Sequence, residues 1–157
     1  MRILVISDSH GRTGEIEKAI EAQQTATHIF FLGDCVRDIE DYPFIYPNRI
    51  FHIVSGNCDY NSTYKSFDAV TLDGVKILFT HGHTHSVKYG IDRLKQTAEL
   101  ENAALVLYGH THIANKEYAN GIHFVNPGSL CSAREGRTGY AVIDIEKNGI
   151  MPILIGT

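Results

Sequence analysis

Five short apolar runs in this chain each stop abruptly at a cluster of Asp, Asn, His or Gly. Ile3-Leu4-Val5-Ile6 gives way to Ser7-Asp8-Ser9-His10, and Ile29-Phe30-Phe31-Leu32 to Gly33-Asp34. Ile50-Phe51-His52-Ile53-Val54 leads into Ser55-Gly56-Asn57-Cys58-Asp59. Ile77-Leu78-Phe79 leads into Thr80-His81-Gly82-His83, and Ala103 to Tyr108 into Gly109-His110-Thr111-His112. Runs of this length, rich in Val, Ile and Phe, read as strands covered on both faces. Open α/β sheets bind their ligands beyond the carboxyl ends of such strands. The pattern therefore predicts an α/β fold in which five strand ends bring imidazoles, carboxylates and an amide to one metal site.

The rest of the chain fills in the architecture. Its 157 residues, 43% of them hydrophobic, suit one domain over residues 1–157 with one sizeable core, and no linker or low-complexity tract divides it. Thr13 is a candidate N-cap for a helix that buries Ile16, Ala19 and Ile20, with Glu15 and Glu17 at its positive end. A second helix is expected from Val87 to Glu101, because Val87, Ile91, Leu94 and Ala98 recur on one face. Pro43 and Pro47 limit any helix between Asp38 and Pro47 to a short piece. Asp73-Gly74, Asn120-Gly121 and Asn148-Gly149 are tight-hairpin signals. They pair Ser66–Leu72 with Val75–Phe79, Ala114–Ala119 with Ile122–Val125, and Tyr140–Ile145 with Ile150–Ile155. Strand–helix alternation early and hairpins late predict two mixed sheets packed together, with helices outside.

Charge and cysteine usage narrow the function classes. Formal net charge is −4 with no basic block, so strong nucleic-acid binding is not expected. Cys35, Cys58 and Cys131 are odd in number and lack a Cys-x-x-Cys spacing, which points to a reducing compartment. The apolar run after Arg2 is too short for a signal peptide, and no stretch approaches the ~20 apolar residues of a membrane span. A cytoplasmic setting is expected.

The chemistry lies in the residues that end the runs. The chain should leave its sheet at Asp8, so that Asp8 and His10 turn towards one ion. Asp34, behind a wholly apolar strand, is a carboxylate that needs a cation or a donor. Asn57 offers a neutral oxygen, and Gly56 lets the backbone come close. Six of the nine histidines fall in three clusters: His10, His81-x-His83-x-His85, and His110-x-His112. Imidazole nitrogen with carboxylate oxygen suits Mn, Fe, Ni or Zn. Gly-His-Thr-His occurs twice, at Gly82–His85 and at Gly109–His112, so spacing alone leaves open which copy supplies a ligand pair. His28, His52 and His123 lie inside strand runs and read as structural.

The ordered set Asp8-x-His10, Gly33-Asp34, Gly56-Asn57-Cys58-Asp59, His81-Gly82-His83 and Gly109-His110-Thr111-His112 resembles the calcineurin-like metallophosphoesterase superfamily. More narrowly, it is similar to the small single-domain bacterial and archaeal phosphodiesterases. The resemblance implies a four-layer α/β/β/α sandwich, two mixed β-sheets flanked by helices. It implies two divalent ions, Mn²⁺ first among those suited. One would take Asp8, His10, Asp34 and His112; the other would take Asp34, Asn57, His81 and His110, with Asp34 bridging. His83 would face the phosphate, whereas His85 lies outside the motif. Such ions, ~3.5–4 Å apart, lower the pKa of a bridging water that attacks phosphorus in line. A small phosphodiester is the implied substrate, and a homodimer or homotetramer the implied assembly. Asn57, Cys58, Asp59 and His83 are the catalytic candidates.

Cys58 departs from the larger family members, which place a His there, paired with the following acidic residue, to protonate the leaving oxygen. Here Asp59 lacks that partner, as in the small phosphodiesterase group. A Cys58 nucleophile is the chemical rival, but no Cys-x5-Arg loop follows it. Asn126-Pro127-Gly128-Ser129 resembles a family loop and is built of turn formers. Arg134, Arg12 and Arg37 are candidate phosphate contacts, with exposed arginine the simpler reading. Two other functions stay open: a non-catalytic scaffold, as a retromer subunit uses this fold, and a phosphomonoesterase or nuclease of the same superfamily. The intact ligand set disfavours the first; the missing motif histidine and the absence of a capping segment disfavour the second. No insertion long enough for a specificity lid is visible, so an open site is expected.

Overall fold

The alternation of side chains within the apolar runs decides which layer each one joins. The computed structural model describes residues 1–157. In chain order it begins β1 (Arg2–Ile6), α1 (Thr13–Ala22), β2 (Ala26–Phe31), α2 (Tyr42–Ile45) and β3 (Ile50–Ile53). It continues through β4 (Phe67–Leu72), β5 (Val75–Thr80), α3 (Asp92–Leu100) and β6 (Leu105–Tyr108). It closes with β7 (Asn115–Ala119), β8 (Ile122–Asn126), β9 (Gly139–Glu146) and β10 (Gly149–Gly156). One sheet has the order β10-β9-β1-β2-β3, the other β4-β5-β6-β8-β7. β1, β2 and β3 are parallel, as are β5, β6 and β8, while the outer strands are antiparallel, so both sheets are mixed.

Ile3 and Val5 point into the space between the sheets, where Phe30, Ile77, Phe79, Leu105 and Leu107 meet them. Leu4 and Ile6 point the other way, onto Ile16 and Ile20 of α1. Leu78 and Val106 likewise leave the intersheet core to meet Leu94 and Ala98 of α3. The period of two thus generates four layers, helix on sheet on sheet on helix. Each such fully buried aliphatic side chain contributes ~1.5–3 kcal/mol.

Local expectations hold in most places. Asp73-Gly74 and Asn120-Gly121 both turn through left-handed backbone, φ 48° and 79°, then 52° and 80°, the type I′ pattern. They set the registers Leu72↔Val75 and Ala119↔Ile122. The region after Asp38 forms only the four-residue α2.

Four details differ from the sequence reading. The third hairpin pairs Ile145 with Ile150 as expected, but its strands run on to Glu146↔Gly149, so the turn is Lys147-Asn148. β3 is not covered on both faces: it is a sheet edge, and Ile50 is 53% exposed. The expected Val87–Glu101 helix is broken, because Gly90 adopts φ 130°, ψ 164° between a 3₁₀ turn at Val87–Tyr89 and α3. Thr13 is the first residue of α1 rather than its cap. The preceding turn, with Arg12 N–H donating to Ser9 O at 2.9 Å, winds directly into the helix and makes a side-chain cap unnecessary.

Candidate metal centre

The five strand ends do converge, and the backbone has to bend sharply to bring them there. Asp8, His10, Asp34, His110 and His112 all have positive φ, 55°, 43°, 60°, 70° and 59°. They are five of the eleven non-glycine residues in this conformation, two others being the hairpin positions Asp73 and Asn120. Left-handed backbone at a residue with a Cβ costs ~1–3 kcal/mol and persists where the surroundings over-determine it. Here they do. Asp38 accepts hydrogen bonds from Ser9 Oγ (2.8 Å) and Gly11 N–H (2.6 Å), fixing the loop that carries His10. Asn126 donates to Gly109 O and Thr111 Oγ1, both at 3.0 Å, and Ser129 Oγ donates to Asp8 O at 2.8 Å.

Glycines supply the close approaches. A Cβ on Gly33 would collide with the Gly56 backbone, one on Gly56 with the Asp34 carboxylate, and one on Gly109 with Ser7 Oγ. Four ligand loops therefore meet in two pairs at glycine.

The first group of functional atoms comprises Asp8, His10, Asp34 and His112, whose donor atoms all lie within 4.8 Å of one another. His112 Nε2 is 3.0 Å from Asp8 Oδ1 and 3.4 Å from His10 Nε2; His10 Nε2 is 3.8 Å from Asp34 Oδ2. The second group surrounds His81 Nε2, with His110 Nδ1 at 3.0 Å, Asn57 Oδ1 at 3.2 Å and Asp34 Oδ1 at 3.5 Å. Asp34 thus turns one oxygen towards each group. All seven sequence-predicted ligand residues fall in these two groups.

Hydrogen bonds behind the rings orient them. His81 Nδ1 donates to Leu32 O at 2.7 Å and His112 Nδ1 to Ser132 O at 3.0 Å, so each Nε2 presents a lone pair inwards. His81 Nε2 then faces the Asn57 and Asp34 oxygens, acceptor against acceptor. No donor other than His112 reaches the buried Asp8 Oδ1, and with the His112 proton on Nδ1 that oxygen has none. A ring lone pair facing two oxygens, and a buried carboxylate oxygen without a donor, call for a cation. The spacings suit one: neighbouring ligand atoms around an ion with ~2.1 Å bonds are about 3.0 Å apart at right angles and about 3.4 Å at the tetrahedral angle.

Electrostatics separates the imidazoles. Burial and the neighbouring His81 push the His110 pKa down to about 4, whereas the hydrogen bond that a protonated His112 ring would give Asp8 raises that of His112. His83 lies beside the second group, its ring 5.4 Å from that of His81, and its buried Nδ1 has no hydrogen-bond partner. Burial, then His81, lowers its pKa and favours the neutral ring. His85 turns away, its ring 5.7 Å from Phe67. His28 Nδ1 and His52 Nε2 pair with each other at 2.9 Å, and His123 packs on Tyr118, outside both groups.

The catalytic candidates near Asn57 take unequal positions. Asp59 does not reach into the site: its carboxylate accepts from Gly56 N–H (2.7 Å), Val36 N–H (2.8 Å) and Asp34 N–H (2.9 Å), clamping two ligand loops together. Cys58 N–H donates to Asp34 Oδ1 at 2.9 Å. Desolvation and the Asp34 carboxylate push the Cys58 thiol up to about 11, so thiolate is scarce at neutral pH. All three cysteines are free. Asp38 is the positioning residue that the sequence hid, since nothing in its neighbourhood repeats a recognisable spacing.

The sequence profile of the calcineurin-like phosphoesterase superfamily domain matches residues 1–148. The chain is 33% identical over 150 residues to the probable metallophosphoesterase YsnB of Bacillus subtilis, covering 94% of this chain and 86% of that one. It is 27% identical over 168 residues to phosphodiesterase YfcE of Escherichia coli, covering 92% and 88%. The crystal structure of a predicted phosphoesterase from Streptococcus pneumoniae superposes with a TM-score of 0.80 at 30% identity, over 92% of this chain and 83% of the other. The two-sheet sandwich and the match along nearly its whole length establish that the chain belongs to the calcineurin-like phosphoesterase superfamily.

Proposed function

We propose that this protein is a metal-dependent phosphodiesterase that hydrolyses small phosphodiesters with two divalent ions, Mn²⁺ being the first to test. The observation that carries the reading is Asp34, which turns one carboxylate oxygen to each of two groups of metal-type ligands. Asp8, His10, Asp34 and His112 would hold one ion; Asp34, Asn57, His81 and His110 would hold the other. Two ions so held would supply an acidified water and would neutralise phosphoryl charge.

The chain's own groups do the rest. Leu32 and Ser132 carbonyls keep the His81 and His112 lone pairs aimed inwards. His83 offers a neutral imidazole at the substrate face, suited to orient the phosphoryl oxygens. Asp59 acts by holding Gly56 and Asp34 in register rather than by proton transfer. A raised thiol pKa argues against Cys58 as nucleophile. A diester is favoured over a monoester by two separate cavities bordering the ligand loops. One of about 480 Å³ reaches Thr111, and one of about 430 Å³ is lined by Cys35, Cys58 and Asp59.

The test is metal-reconstituted protein assayed on an activated aryl phosphodiester and on the matching monoester. Asp34→Asn should abolish diester turnover and two-ion binding, while Cys58→Ala should keep substantial activity. Cys58→His should be neutral or should improve turnover of poor leaving groups by up to ~10²-fold, through a proton donor beside Asp59. Complete loss of activity in folded, metal-loaded Cys58→Ala would make the sulfur essential and sink the water mechanism.

A further inference from the structure

The cavity of about 480 Å³ lies against the loop that carries His110 and His112, and its size is that of a small-molecule site. Thr111, which separates those two histidines, forms part of its wall. Arg134 joins it there, its backbone N–H donating to His112 O at 3.2 Å. Lys88 stands on the same rim, close enough for its charge to act on His110, as that of Arg134 acts on His112. Neither cation belongs to any of the chain's ion pairs. With Lys95 and Glu117 paired, Lys88 and Arg134 face a single unpaired acid in the lining, Asp92, so the wall is net positive and can receive an anion.

Behind that rim the lining changes character. Ile91, Ile113 and the ring of Tyr108 give apolar walls, while the Asn115 amide and the Tyr108 hydroxyl, 3.5 Å apart, supply hydrogen-bonding groups. Lys95 and Glu117, also in the lining, pair with each other at 2.6 Å. A methyl or glyceryl ester would leave most of this space to water. A planar heterocycle on a sugar fills the space and matches its apolar walls and its polar edge.

We propose that this cavity is the specificity pocket of the site and receives the nucleoside-sized ester group of a nucleotide diester, with the phosphate held between the ligand loops and the Lys88–Arg134 rim. For the reaction, the proposal rests on the phosphodiesterase reading; for binding, it does not. Water would add to phosphorus and the bond to the other ester oxygen would break. That oxygen leaves as an alcohol with one of the water's protons, and a nucleoside monophosphate remains in the pocket.

Calorimetric titration of Mn²⁺-treated protein with adenosine 5′-monophosphate and with methyl phosphate separates the pocket from the phosphate site, which both ligands share. The nucleotide should bind at least ~10-fold more tightly, and Asn115→Trp, which fills the cavity from an exposed strand position, should shrink the ratio to about twofold or less. Tyr108→Phe, which keeps the buried ring, should shrink it partway. Equal dissociation constants in the unmodified protein would overturn the proposal, as would a ratio that survives both substitutions. Tightening in step with oligonucleotide length would also overturn it, in favour of a polynucleotide. The same ratio is then read in kcat/KM for adenosine 5′-(p-nitrophenyl phosphate) over methyl p-nitrophenyl phosphate. Selective binding with neither ester hydrolysed would uphold the pocket and sink the phosphodiesterase reading instead.

Discussion

Gly82-His83-Thr84-His85 and Gly109-His110-Thr111-His112 are the same four residues in the same order, yet they make different structures. Both lie just beyond parallel neighbours of one sheet, β5 and β6. In the first, Gly82 takes the left-handed turn at φ 101° and His83–His85 wind into a 3₁₀ turn. In the second, the histidines themselves are left-handed, at φ 70° and 59°, and both rings reach ligand groups. The surroundings make the difference. Gly82 packs against Val87, whereas Gly109 lies against Ser7 and Asp8 from the other sheet. A tetrapeptide takes its function here from the strand end it faces, not from its own spacing.

The comparison breaks most decisively at the histidines. His110→Ala or His112→Ala should lose stoichiometric metal by elemental analysis and lower kcat/KM at least ~10³-fold. Equal losses from His85→Ala would reverse the assignment of the two copies. His83→Ala should retain both ions but lower kcat by ~10²-fold, because the ring serves substrate rather than metal. Metal loss in that variant would give the first copy a ligand role.

The glycines sharpen the same contrast. Gly109→Ala forces a Cβ into Ser7 Oγ and to 3.0 Å from Asp8 Oδ2, so Mn²⁺ affinity should fall ~10–100-fold by titration. Gly82→Ala puts a side chain at φ 101° and 2.7 Å from Val87 Cγ2, so it should cost ~1–3 kcal/mol in chemical denaturation with affinity largely kept. The smallest effect belongs to His85→Ala, which loses only packing on Phe67 and should shift kcat/KM by no more than about twofold, within the usual reach of surface substitutions.

These contrasts also show what a sequence can carry. The two type I′ hairpins and the alternation of Ile3, Leu4, Val5 and Ile6 are local statements, and the fold honours them. The spacing of Val87, Ile91, Leu94 and Ala98 was legible as a buried face but not as a broken helix, because Gly90 interrupts the backbone without moving the face. Ligand-type residues at the strand ends were legible too. Their left-handed backbones, the Asp38 buttress and the diversion of Asp59 into a backbone clamp were not. Each of these depends on contacts between loops far apart in the chain.

The split of the candidate ligands between the two sheets bears on how the protein is made. Asp8, His10, Asp34 and Asn57 emerge from the ribosome early, and His10 waits for its neighbour His112, 102 residues later. The first sheet is itself unfinished until β9 arrives to pair Arg2 with Asp144. A growing chain therefore displays half a coordination sphere with nothing to close it. An ion that needs the whole set of seven candidate ligands could therefore be held only by the finished chain, and the ions available to that chain would decide which one it takes.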